Sequence, residues 1–204
     1  MARFGPGDVR FFDRMARLYD AAMPPARSDP FADAFAFANR PIDRVLDLAG
    51  GTGRAARGVA RLGIDAVVVD ASAGMLARAR DAGHPAVRAD VTRLPIRSDG
   101  VDAAVLADAL HHVPGPATAL ESAARVVRPG GVLVVQEFHP RGLRGRALVA
   151  AEHAVGFEST FWTPEELCGL LSAAGLEARI VREGFGYVVV GRVPRSSSGF
   201  RESH

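Results

Sequence analysis

Lysine is absent from the chain, and every one of its 25 basic residues is arginine. So complete a bias looks like codon preference and supports no functional inference. Cysteine is nearly absent as well. Cys168 is the only one in 204 residues, so no intramolecular disulfide can form and no thiolate cluster can hold zinc. At an apolar position of an expected helix, it reads as a buried, inert thiol. No apolar run approaches the roughly 20 residues that a membrane helix needs. The opening MARFGPGDVRFFDR puts charge and glycine where a secretory leader needs an unbroken apolar stretch. A cytoplasmic protein without a transmembrane segment is expected. The net charge is only +2 and the arginines are spread along the chain, so nothing argues for nucleic acid. No metal ligands are assigned.

With 204 residues, 48% of them hydrophobic, the chain can bury one substantial core. From Val45 onward, short β-branched runs alternate with longer Ala/Arg/Leu segments, the pattern of repeated βα units on a mainly parallel sheet. Strands are expected at 44–49, 65–70, 86–89, 102–107 and 132–138. Helices are expected at 54–62, after an N-cap at Ser72, from Pro116 to Val127, and after the capping box Thr163-Pro164-Glu165-Glu166. Pro129-Gly130-Gly131 is expected to break the chain before the fifth strand. The runs 176–182 and 187–193 are joined by only Glu183-Gly184-Phe185-Gly186, too short for a parallel crossover, so they form a hairpin with an antiparallel last strand. The expected fold is a single doubly wound α/β domain at 41–193 with a seven-stranded sheet. A helical cap at 1–40, an active-site cover at 141–162 and a disordered tail at 194–204 flank or interrupt it.

The turn in VLDLAGGTGRAARG carries the first chemistry. Gly51, Gly53 and Ala56 satisfy G-x-G-x-x-A, a loose dinucleotide pattern that is weak alone. Asp47, inside the strand before the turn, discriminates. A pyrophosphate at the helix N-terminus wants donors and positive potential, and a neighbouring carboxylate opposes it. A ligand carrying an ammonium and a sulfonium would welcome that carboxylate. Asp70, ending the second strand, can accept both hydroxyls of a ribose. Asp90, after the third, can take the exocyclic amine of adenine, with Val91 and Met75 against the ring faces.

The series VLDLAGGTGR, VVVDASAGML, RADVTRLPIRSDGVDAAVLADALHHV and RVVRPGGVLVVQEF closely resembles, in order and spacing, the successive motifs of class I S-adenosylmethionine methyltransferases. It covers about residues 42–138. FFDRMARLYDAAM and VVQEFHP are similar to segments of the demethylmenaquinone and ubiquinone C-methyltransferases. The resemblance implies S-adenosylmethionine as cofactor, contacts from Tyr19, Asp47, Ala49, Gly50, Gly51, Gly53, Asp70, Ala71, Met75, Asp90, Val91 and Ala107, and a small-molecule acceptor such as a quinol or phenol. It leaves peripheral membrane contact and a homodimer open. Two departures fall on the acceptor side: His111-His112 replaces the Arg-Asn pair of the quinone enzymes, and the cover after Pro140 is shorter.

His111 and His112, at the tip of strand four, are the expected proton acceptors, and since adjacent side chains diverge, one of them at most serves. His139 competes for the role. Asp108 and Glu137 are either bases or partners of arginines. Phe157, Phe161, Trp162 and Tyr187 either line an acceptor pocket or pack the core. Arg141, Arg144 and Arg146 either meet an anionic membrane or form a solvated turn. Two other functions compete: an NAD-dependent oxidoreductase and a cofactor-binding partner protein without catalysis.

Overall fold

The computed structural model describes residues 6–22 and 29–195, and their side chains except those of 19–22. A 3-10 turn, Pro6–Asp8, leads into α1 (Val9–Ala22), and α2 (Asp29–Phe35) follows. The βα series then runs β1 (Arg44–Leu48), α3 (Arg54–Ala60), β2 (Asp65–Asp70), α4 (Ala73–Asp81), β3 (Ala86–Arg88), β4 (Val101–Ala107), α5 (Pro116–Val126) and β5 (Val127–Phe138). After it come α6 (Gly142–Val155), α7 (Pro164–Ala173), β6 (Glu177–Arg182) and β7 (Gly186–Arg192).

The seven strands lie in the order β3-β2-β1-β4-β5-β7-β6. β1 to β5 pair in parallel, and β7 runs antiparallel to both neighbours, which the short 183–186 connection requires of its pairing with β6. Each face of the sheet is covered, so central strands are apolar on both sides. On β4, Ala104 and Leu106 join a core with Leu120 and Ala123 of α5 and Leu167 and Leu171 of α7. Ala103 and Val105 of the same strand join a second core with Phe31 of α2, Val59 of α3 and Leu76 of α4.

Local chemistry sets the element ends. Ser72 caps α4 by accepting from the Met75 amide, and Thr163 and Glu166 form both halves of the capping box on α7. Pro129-Gly130-Gly131 does not break the chain: β5 runs through it, with a register shift between Val101 and Ala103 of β4. Gly131 permits this because a Cβ there would lie 2.3 Å from the Asp102 carbonyl oxygen. Asp102 pins this amino-terminal end of the sheet, accepting from Arg128 Nη1 at 2.6 Å and from the Arg44 amide at 3.1 Å. The expected cap at 1–40 contains the 3-10 turn, α1 and α2, and the segment 141–162, expected as a cover, contains α6. Most of the expected tail, 196–204, lies outside the described residues.

Candidate active site

β1 has β2 on one side and β4 on the other, so the strand order reverses between them and a crevice opens beyond their carboxyl ends. Asp47, Ala49, Gly50, Gly51, Asp70, Ala71, Met75, Asp90, Val91, Ala107 and His112 all line one cleft there. Gly53 and His111 do not. Gly53 is the left-handed N-cap of α3 and packs toward Val68 and His84. The Tyr19 side chain lies outside the described residues.

Asp47 is 1% exposed. Its Oδ2 accepts from the Ala56 amide at 2.8 Å, so a carboxylate from β1 caps the first turn of α3, whose N-cap Gly53 has no side chain to do so. Its Oδ1 is buried without a hydrogen-bond partner among the described residues. Burial lifts the Asp47 pKa to about 7, against the opposing Ala56 hydrogen bond. A Cβ on Gly50 would stand 2.4 Å from the Asp47 carboxyl carbon, so only glycine lets the turn fold over this acid.

Both Asp70 oxygens accept backbone amides, Oδ2 from Gly51 at 2.9 Å and Oδ1 from Ser72 at 2.7 Å. This acid ties the β1 and β2 turns together at the cleft floor, and burial raises its pKa. Asp90 is exposed, and its Oδ1 accepts from the Thr92 amide and hydroxyl at 2.8 and 2.7 Å. Each acid therefore shapes its own turn while facing the cleft.

The N-terminal segment forms the opposite wall through Pro6, Gly7, Val9 and Phe12, which sequence reasoning had placed only in a generic helical cap. Arg54, the first residue of α3, was likewise not singled out. It lines the cleft and pairs with Asp108 at 3.5 Å.

The two histidines diverge in position and in charge. His111 is 4% exposed, with Nδ1 2.6 Å from Glu137 Oε2 and Nε2 3.6 Å from Glu152 Oε1 on α6. Burial works against its charge, yet the two glutamates outweigh it and lift the pKa to about 10. His111 thus lies off the cleft, held between two carboxylates, and of the two expected proton acceptors only His112 lines it. His112 lines the cleft, with burial and the neighbouring His111 charge pushing its pKa down to about 3, so it is neutral. Its Nδ1 lies 3.2 Å from Asp8 Oδ2 and 3.4 Å from Ser159 Oγ. Phe12 and Phe157 meet the His112 ring edge-on, at 5.0 Å each.

The remaining polar and aromatic candidates all have structural partners or face solvent. Asp108 and Glu137 are held in ion pairs with Arg54 and His111, and His139 Nδ1 accepts the Arg141 amide away from the cleft. Tyr187 is wholly buried, donates to the Trp162 carbonyl at 2.8 Å and belongs to the core. Phe161 stacks on His111 at 4.6 Å. Arg141, Arg144 and Arg146 are exposed, and no helix among the described residues is long and apolar enough to cross a membrane.

The sheet order, with a crevice at its switch point, is that of the class I methyltransferase fold. Residues 46–135 match the family model described as "Methyltransferase domain". A demethylmenaquinone methyltransferase from Mycobacterium sp. (strain KMS) is 42% identical over 113 residues, covering 55% of this chain and 49% of the relative. The chain thus spans about half the length of that relative. An S-adenosylmethionine-dependent methyltransferase from Thermotoga maritima shares the fold with a TM-score of 0.70 at 23% identity, over 89% of this chain and 97% of that one. Human N-acetylserotonin methyltransferase, solved with S-adenosylmethionine, gives a TM-score of 0.69 at 21% identity, over 92% and 56% of the two chains.

Proposed function

We propose that this chain transfers a methyl group from S-adenosylmethionine to a small aromatic acceptor, a phenol or quinol. The observation that carries the reading is Asp47: a buried carboxylate that already caps α3 and keeps one oxygen without a donor among the described residues. The residues fit the cofactor. Asp47 Oδ1 suits its ammonium, Arg54 its carboxylate, Asp70 the ribose hydroxyls and Asp90 the adenine amine, with Val91 and Met75 beside the base.

The bound cofactor supplies a methyl group already activated on a cationic sulfur. The chain's residues align the acceptor and exclude water. His112, neutral and at the cleft wall, meets the acceptor hydroxyl. Phe12, which lines the cleft, offers an aromatic surface to such an acceptor. The demethylmenaquinone methyltransferase relatives support a quinol-type acceptor.

Incubation of the chain with labelled cofactor and a prenylated naphthoquinol lacking the ring methyl group tests this. Labelled product is expected, with at least a tenfold loss of turnover in His112→Ala and retained S-adenosylhomocysteine affinity. Calorimetric binding of NADH with none of S-adenosylhomocysteine would overturn the reading in favour of an oxidoreductase.

A further inference from the structure

We infer that His111, His112 and Glu152 form a binding site for a first-row divalent cation, of the zinc or cobalt type, at the acceptor end of the cleft. One ligand atom from each residue lies within 4.8 Å of the others. His111 Nε2 and Glu152 Oε1 face each other at 3.6 Å, too far for a hydrogen bond. Two atoms bound to one tetrahedral ion at about 2.1 Å each stand about 3.4 Å apart, close to that separation. The farther pairs must close by a side-chain rotation, and the ion takes the place of the His111 Nε2 proton, which is released to solvent.

Three further observations point the same way. Glu137 holds His111 from behind, Oε2 at 2.6 Å from Nδ1 and Oε1 accepting the His111 backbone amide at 3.3 Å. A carboxylate on one ring nitrogen, directing the other at a common point, is how metal-binding histidines are oriented. Glu152 Oε2 is buried and has no hydrogen-bond partner among the described residues. Three largely buried carboxylates, Asp8, Glu137 and Glu152, surround two imidazoles, an excess of negative charge that a dication offsets. Two nitrogens and an oxygen suit zinc, cobalt or iron better than magnesium or calcium.

His112 is where this cluster meets the cleft, so the ion's open position faces the acceptor. An acceptor hydroxyl bound there ionises more readily, its O–H bond breaking to leave the oxygen on the ion and its proton passing to solvent. His112 is then a ligand. Only this use of the ion rests on the methyltransferase reading; the binding itself does not. No spacing in the chain signals the cluster, because the third ligand lies on α6, far from the histidine pair.

The test is titration of the chelator-stripped full chain with Co²⁺, followed by visible absorption, and with Zn²⁺ by calorimetry. One ion per chain is expected. Glu152→Gln and His112→Gln should each weaken binding at least tenfold, with folding checked by thermal melting, while His84→Gln, outside the cluster, leaves it intact. Absence of saturable binding by the unmodified chain, or unchanged binding in both cluster variants, overturns the inference. S-adenosylhomocysteine binding, measured on the same samples, reports separately on the methyltransferase reading.

Discussion

Asp13 on α1 and Gly74 on α4 meet with no room for a side chain between them. The Gly74 amide donates to Asp13 Oδ1 at 2.9 Å, and the Ser72 hydroxyl donates to the same oxygen. A Cβ on Gly74 would lie 2.8 Å from the Asp13 carbonyl oxygen. The pair latches the N-terminal wall of the cleft onto the helix that follows Asp70. Gly74→Ala is expected to push α1 away and weaken S-adenosylhomocysteine binding about tenfold, the loss of one charge-assisted hydrogen bond. Faster amide exchange over residues 9–18, with an unchanged core melting transition, is the accompanying signature.

Asp47 is expected to make cofactor binding depend on pH. Its folded-state pKa is raised from 3.8 to about 7, so its contribution to stability is full below 3.8 and is lost as pH rises through about 7. A ligand ammonium placed at Asp47 selects the ionised form and reverses that direction. S-adenosylhomocysteine affinity should therefore rise from about pH 5.5 to about pH 8, with proton release on binding near pH 6. Calorimetry in buffers of different ionisation enthalpy measures the proton. Asp47→Asn should abolish it, and a wild type that releases none would remove Asp47 from the ammonium site.

Asp70 is the expected ribose clamp. Asp70→Ala should weaken S-adenosylhomocysteine about 100-fold, from two hydrogen bonds to a charged group, and a 2′-deoxyribose analogue markedly less. Equal losses for both ligands would leave Asp70 with only its turn-forming bonds to Gly51 and Ser72.

Much of the fold was legible because its signals are local. Ser72 and Thr163 stand where helices begin, and their caps formed as expected. The hairpin followed from the length of one connection. Pro129-Gly130-Gly131 was misread because the same residues that end a strand also accommodate a bulge once a neighbouring strand, here β4, fixes the register. The acids at the strand tips were legible because chain order and sheet order coincide from β1 to β3. The roles of His111 and His112 were not. Glu137, 26 residues on, charges one ring, and Asp8, 104 residues back, holds the other.

Structure away from the cleft should separate from binding. Thr163→Ala removes the α7 cap and should lower stability by about 1 kcal/mol in urea unfolding. S-adenosylhomocysteine affinity should stay unchanged, since Thr163 does not line the cleft.

The carboxylate capping α3 also bears on which adenosine compounds the cleft admits. The features offered to adenine and ribose would serve ATP or NAD equally well, and selection falls on the tail attached to the nucleoside. With Asp47 fixed at the helix end, a polyphosphate tail meets a negative charge that cannot diffuse away, whereas an amino-acid tail brings its own ammonium to it. The sign of a single covalently tethered charge is thus expected to separate one adenosine derivative from its competitors.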